Sequence, residues 1–201
     1  TPVIMASMLL RDGAFSTYFA TLLWDSWSHP ETRFQMTTWA MIVHVLFFGS
    51  SSDTARRLLH GPSFFLAHSV LAGWAQLTYL NPQIDLRDKR EAWGCTWRIS
   101  LPRTVVVHVL TVVAQWATLV ADKEELRRLH AGMGLKALIA RGVAPQVALL
   151  VLYGQLFHSL TKTYGIKSVN NDRLHKLQTI AMLSVTAIVF PFWKQIVSPS
   201  K

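Results

Sequence analysis

Four histidines lie within long apolar stretches of this sequence, at His44, His68, His108 and His158. An ionisable side chain at membrane depth is costly, so each of these residues is a functional candidate. The alternative is structural, because a neutral imidazole can hydrogen-bond a neighbouring helix and hold a bundle together. Four such residues in one chain favour a chemical role for at least one of them.

The spacing of the four histidines disfavours a metal site or a haem site. Facing histidines can bind haem iron through axial nitrogens, but the spacing here forms no haem signature. The sequence also has no H-E-x-x-H motif, no carboxylate pair within an apolar stretch, and a single cysteine, Cys95. We therefore expect no metal site and no cofactor. Bound phospholipid, including cardiolipin, is compatible with the composition.

A pair of hydroxyls is the other chemical candidate. Thr37 and Thr38 open the second apolar stretch, just after a polar segment. Threonine becomes a nucleophile when a base takes its proton, and an intramembrane histidine is such a base. Taken alone, the pair is better explained as a helix cap or as a source of interhelical hydrogen bonds.

The elements that must position these residues are transmembrane helices. The chain has 201 residues, of which 51% are hydrophobic and only 15% are charged, whereas soluble domains carry about 25% charged residues. A run of about 20 apolar residues crosses a ~30 Å hydrocarbon core as a helix, which satisfies its own backbone groups. The sequence therefore predicts an all-α, polytopic transmembrane bundle that forms one domain over residues 1–201. Six spans are predicted, near residues 13–27, 34–50, 63–80, 101–120, 143–160 and 177–197.

The apolar stretch that leads into the first predicted span is interrupted by Arg11 and Asp12. In the simplest interpretation these two side chains pair with each other. The first span could cross the bilayer or lie in the interface. Lys and Arg are spread over the loops without a clear asymmetry, so the orientation is left open. No acidic residue lies mid-span, and this disfavours an ion or proton transporter.

Four stretches of the sequence together resemble the androgen-induced membrane protein family, which are multi-pass threonine hydrolases of fatty-acid esters of hydroxy fatty acids. "RFQMTTWAMIVHVLFFG" (33–49) is similar to the family's opening motif, and "GWAQLTYLNP" (73–82) to its aromatic helix end. "LPRTVVVHVLTVV" (101–113) is similar to the stretch that holds the intramembrane histidine, and "FHSLTKTY" (157–164) to a later stretch.

The resemblance implies a covalent mechanism. His108 would accept the proton of Thr37 or Thr38, and the threonine would attack a lipid ester carbonyl to form an acyl-threonine that water releases. Counting back from Phe47 favours Thr37 as the nucleophile, and counting forward from Phe34 favours Thr38. The mechanism requires a water-filled space between the helices.

Basic charge supports a second hypothesis, which is not enzymatic. The net charge is +9, and the basic residues lie between apolar stretches, so anionic lipid is favoured over nucleic acid as a partner. A lipid headgroup site is predicted in the loop before the fourth span, formed by Arg87, Lys89, Arg90, Arg98, Arg103, Trp93 and Trp97; a solvated loop is the alternative.

These features are typical of an accessory, structural subunit of a larger membrane complex, with membrane lipids and other membrane protein subunits as partners. We place this role slightly ahead of the hydrolase. The basic charge and a chain that starts at Thr1 without Met favour the mitochondrial inner membrane as the location.

Overall fold

The computed structural model describes residues 2–28, 36–79, 106–158 and 171–198, and all of the regular structure in these ranges is helical. There are two π-helical turns in these ranges: π1 directly precedes an α-helix, and π2 lies between two α-helices. The elements in chain order are α1 (Pro2–Ser28), α2 (Met36–Phe48), α3 (Asp53–Tyr79), π1 (Val106–Leu110), α4 (Thr111–Ala121), α5 (Lys123–Leu129), α6 (Leu135–Leu138), π2 (Ile139–Val143), α7 (Ala144–His158) and α8 (Asn171–Val197).

Local sequence signals explain where several helices start and stop. The carbonyl of Ser52 accepts the N–H of Arg56 at 2.9 Å, and its hydroxyl accepts the N–H of Ala55 at 3.5 Å, so Ser52 caps α3. The segment after α4 predicts a short helix that ends at glycine, and α5 followed by Gly132 at φ +74° confirms it.

Helix α3 forms the centre of the bundle and packs against α2, α4, α8 and π2. The largest apolar cluster joins Phe64 and Phe65 of α3 to Leu119 of α4 and to Trp193 of α8. In a second apolar cluster, α1 packs against α2 through Phe19, Phe47 and Phe48. The packing of α2, α3 and α4 against one another brings the chemical candidates of three separate segments together.

Helix α3 and π2 approach each other at a glycine pair. A Cβ built on Gly61 would lie 2.4 Å from the Cα of Gly142, so the two backbones touch. A contact with backbone cannot be relieved by rotating a side chain. Glycine at position 61 is therefore required by the close crossing, whereas a Cβ on Gly142 would meet the Trp193 and Phe65 rings at 3.0 Å and 3.3 Å.

We expect Gly61→Ala to lower the free energy of unfolding by about 1–3 kcal/mol, because the added methyl must push two helices apart. Gly13→Ala is the matched control, since a Cβ on Gly13 meets nothing within 4 Å, and alanine in a helix interior is about 0.5–1 kcal/mol more favourable than glycine. Unfolding by SDS in mixed micelles measures both. Equal stability of the two variants would contradict the close crossing.

Among the described residues, two helical stretches are long and apolar enough to cross a membrane, Leu135–Tyr153 and Lys176–Val197. Val106–Ala121 and Lys123–Leu129 qualify as a third only if they count as one span, and they are bent by 79°. Met36–Phe48 is apolar but short. This is compatible with an integral membrane protein. The described residues contain two or three candidate spans, so the six predicted spans are not confirmed. The predicted fifth span begins earlier than expected, because π2 continues the helix from Leu135.

Candidate functional site

Thr37 and His108 are the two candidate residues that the structure brings together. Thr37 Oγ1 lies 3.3 Å from Nε2 of His108, although 71 positions separate the residues in the sequence. Thr37 is half-buried in the first described turn of α2, and His108 is buried in π1. Thr38, the other candidate nucleophile, is 1% exposed in the interior. The geometry thus pairs a hydroxyl with an imidazole at a helix–helix interface.

His108 lies in the middle of a π-helical turn. Val107 and His108 face the interior, while Val106 and Val109 are exposed. The hydroxyl of Thr111 donates to the carbonyl of Val107, which adds a hydrogen bond within this turn. π-helical turns inside α-helices occur frequently at functional sites, because the extra residue changes which side chains face inward.

Trp74 of α3 fixes the plane of the His108 ring. The two rings are stacked, with centroids 5.1 Å apart and planes inclined by 17°. This indole was not singled out in the sequence as a site residue, although the motif 73–82 contains it. Three helices therefore contribute to the site: α2 supplies the hydroxyl, α3 the stacking surface, and π1 the imidazole.

The pair can transfer a proton. If the imidazole proton is on Nδ1, then Nε2 has a lone pair that accepts the Thr37 hydroxyl proton. A distance of 3.3 Å is longer than an ordinary O–H···N bond, but such bonds are often long before substrate binds. This arrangement is the minimum needed for a nucleophile with its general base.

Two other histidines that the sequence predicts within spans have structural hydrogen bonds. His68 lies 2.8 Å from the carbonyl of Phe64 through Nδ1 and accepts the indole N–H of Trp116 through Nε2 at 2.8 Å. His44 Nδ1 contacts the hydroxyl of Ser63 at 2.8 Å. His158 is the last residue of α7, and its side chain lies outside the described part of the structure.

A buried ionic cluster occupies the opposite end of α4. Arg11 and Arg56 both pair with Asp12, at 2.7 Å and 2.6 Å, and both contact Asp122. Burial lowers the pKa of Arg11, but hydrogen bonds and charge from Asp122 and Asp12 outweigh it and raise that pKa above its ordinary value. The sequence predicted only the Arg11–Asp12 pair, because the partners lie 44 and 111 positions away.

A cleft of about 620 Å³ opens beside this cluster. Its lining includes Asp12 and Arg56 from the cluster, Ser16 and Thr17 from α1, and Glu125 from α5. The lining is rich in charges and hydroxyls, so water is the natural occupant of this end of the bundle.

The predicted headgroup residues Arg87, Lys89, Arg90, Arg98, Arg103, Trp93 and Trp97 all lie outside the described residues. Within the described ranges, no group of three or more His, Cys, Asp or Glu side chains is arranged to hold a metal ion.

Comparison with known proteins finds no matching family model, no matching curated protein and no matching solved structure.

Proposed function

We propose that this protein is an intramembrane hydrolase of lipid esters, with Thr37 as the nucleophile and His108 as the general base. The observation that carries the proposal is the 3.3 Å distance between Thr37 Oγ1 and His108 Nε2 across two helices. The sequence resemblance implies His108 as the base and either Thr37 or Thr38 as the nucleophile. A third residue, Trp74, holds the imidazole by stacking.

The proposed reaction has two steps, acylation of Thr37 and hydrolysis of the acyl-threonine, and His108 carries the proton in both. Thr37 Oγ1 attacks the ester carbonyl carbon while its proton moves to His108 Nε2. The tetrahedral intermediate expels the alcohol, which takes that proton, and leaves an acyl-threonine. Water then attacks the acyl carbonyl and gives a proton to His108, and the threonine oxygen leaves as the hydroxyl by taking that proton back. The products are a fatty acid and an alcohol.

The location of the pair fits a lipid substrate. Large apolar side chains are exposed on several helices, including Trp24, Val120 and Ile188. Such faces need lipid or a partner chain around them. Val106 and Val109, which flank His108 in π1, belong to these exposed side chains, so the proposed route of a long acyl chain to Thr37 is from the bilayer past π1. We further propose that the whole chain crosses the membrane six times, as its sequence predicts, and that this membrane is the mitochondrial inner membrane.

A fluorophosphonate with a long alkyl chain tests the proposal. Thr37 is expected to form an adduct, since its oxygen displaces fluoride from phosphorus while His108 takes the proton. Labelling should be lost in Thr37→Val, which keeps the shape of the side chain and removes the hydroxyl. Thr38→Val is the matched control and should keep the label. A folded protein that is never labelled, or one labelled equally in both variants, would remove the hydrolase.

The accessory-subunit role is the second candidate, and the exposed apolar faces favour it equally. Leu10 and Trp24 of α1 are 77% and 79% exposed, which is the pattern of a helix covered by another chain. This role predicts that the protein co-purifies with defined membrane subunits from mild detergent and loses stability without them. A monodisperse, stable and catalytically active protein on its own would count against it.

A further inference from the structure

A polar stripe runs along the inward face of π1 and α4, beside the buried apolar residues Val107, Ala114 and Leu119. The buried side chains His108, Thr111, Gln115, Thr118 and Asp122 follow one another at steps of three and four residues. This spacing places them on a single face of a helix. With a rise of about 1.5 Å per residue, the face spans about 21 Å. A helix that packs against apolar neighbours would be expected to present apolar residues here.

The middle of this face contains a buried network that is only partly satisfied. Gln115 Nε2 donates to Ser63 Oγ at 2.7 Å, so the Ser63 proton can be donated to His44 Nδ1 at 2.8 Å. That arrangement leaves the imidazole proton on Nε2. Among the described residues, neither His44 Nε2 nor Gln115 Oε1 has a hydrogen-bond partner, although both residues are almost fully buried.

Two such atoms are costly unless water satisfies them. A buried polar group without a partner costs about 1–3 kcal/mol. One atom is a donor and the other an acceptor, so a water molecule between the helices can accept from His44 and donate to Gln115.

The two ends of the face reach different places. At one end, His108 contacts Thr37. At the other end, Asp122 contacts Arg56, which lines the 620 Å³ cleft together with Asp12. The polar face therefore connects an ionic cleft at one side of the bundle with the Thr37–His108 pair at the other.

We propose that this face, which we call the α4 polar path and define as His108, Thr111, Gln115, Thr118 and Asp122 with His44 and Ser63 opposite, conducts water from the cleft to Thr37. The purpose of this water rests on the proposed function, because hydrolysis of each acyl-threonine consumes one water molecule. Purely structural hydrogen bonding accounts for Thr111 and Thr118, whose hydroxyls bond their own backbone. It does not account for His44 Nε2 and Gln115 Oε1, which are among the buried atoms of the described residues that have no hydrogen-bond partner.

Silver ions test the path, since Ag⁺ is small and reacts with thiolates that water reaches. Cys95→Ser provides a thiol-free background in vesicles. We expect Thr118→Cys and Gln115→Cys to form silver adducts at least about tenfold faster than Val113→Cys and Val120→Cys, because a thiol ionises only in a polar environment. Val113 and Val120 lie on the same helix but face outward, at 52% and 63% exposure. The mass of the intact protein gives the rate.

The result separates this proposal from the hydrolase. Equal rates at the inward and outward positions would overturn the path, whether or not Thr37 reacts with the fluorophosphonate. Fast inward labelling would support the path even if Thr37 proved inert. Should Gln115→Cys fail to fold, Thr118→Cys carries the test alone, because Thr118 bonds only its own backbone carbonyl at 2.9 Å among the described contacts.

A second variant links the path to turnover. Gln115→Leu closes the middle of the α4 polar path with an apolar side chain of similar size. The steady-state hydrolysis of a long-chain p-nitrophenyl ester should fall by about tenfold while the initial burst of nitrophenol stays, since only the second step needs water. Loss of burst and steady state together, in a protein that keeps its helical content, would contradict a role in water delivery.

Discussion

Asp122→Ala is expected to lower the free energy of unfolding by about 3–5 kcal/mol, because it removes one of the two carboxylates that Arg11 and Arg56 share and leaves both cations to Asp12 alone. The side chain of Asp122 is fully buried, and it contacts both Arg11 and Arg56. Removing one partner of a buried ion pair is more costly than never having formed the pair, since the remaining charge stays in a low dielectric. Titration with SDS in mixed micelles measures the loss.

Asp53→Ala is the matched control for this prediction. Asp53 pairs with Arg128 at 2.8 Å, but the two side chains are 58% and 62% exposed. An exposed ion pair contributes about 0–1 kcal/mol. The cluster of Arg11, Asp12, Arg56 and Asp122 would not be buried as described if both variants were destabilised by the same small amount.

His108→Gln is expected to reduce hydrolysis of a long-chain ester by about 10²–10⁴-fold, the usual contribution of a general base. Glutamine has a similar size and can still contact the Thr37 hydroxyl, but it cannot take its proton at neutral pH. The loss should appear in the rate of the burst and not only in the steady state, because His108 acts in both steps. Stopped-flow absorbance of released nitrophenol resolves the two phases.

His68→Gln is the control that separates chemistry from packing. His68 is also buried in the bundle, but both of its ring nitrogens are in hydrogen bonds, to Phe64 and Trp116. Its variant should lose some stability and keep the burst rate. If His68→Gln and His108→Gln slowed the burst equally, His108 would be a structural residue and not the base.

The sequence proposed His108 and two neighbouring threonines as candidate residues, and it did not decide between the two threonines. The resemblance in sequence singled out His108 with Thr37 or Thr38. The choice between the two threonines stayed open, because one step along an apolar helix changes the hydropathy pattern very little. In the folded chain that step rotates a side chain by about 100°. The structure places Thr37 beside His108 and Thr38 in the interior.

The ionic cluster illustrates what one sequence cannot supply. Arg11 and Asp12 look like a local pair that interrupts an apolar helix, and their other partners are set by tertiary contacts with α3 and with the end of α4. The polar face of α4 was in principle visible, because His108, Gln115 and Asp122 recur every seven residues. Hydropathy averaged over a span hides this pattern, since the outward valines outweigh it.

The candidate spans among the described residues follow from length and apolar content, and the structure adds where the helices bend. The helix of the fourth predicted span ends at Ala121, and the chain turns by 79° into α5, where Asp122 joins the ionic cluster. The fifth begins with a π-helical turn, which Gly142 allows to approach Gly61 closely. Bends of this kind arise from packing against neighbouring helices, so a window of apolar residues predicts that a helix exists but not that it is straight.

The most direct measurement of the central claim is the identity of the residue that carries the acyl group during turnover. The purified protein is mixed with a long-chain ester, quenched in acid within the burst, digested, and analysed by mass spectrometry. We expect one acyl group on Thr37, absent in Thr37→Val and strongly reduced in His108→Gln. Ester turnover with no acyl group on Thr37, or with the acyl group on another residue, would contradict the central claim.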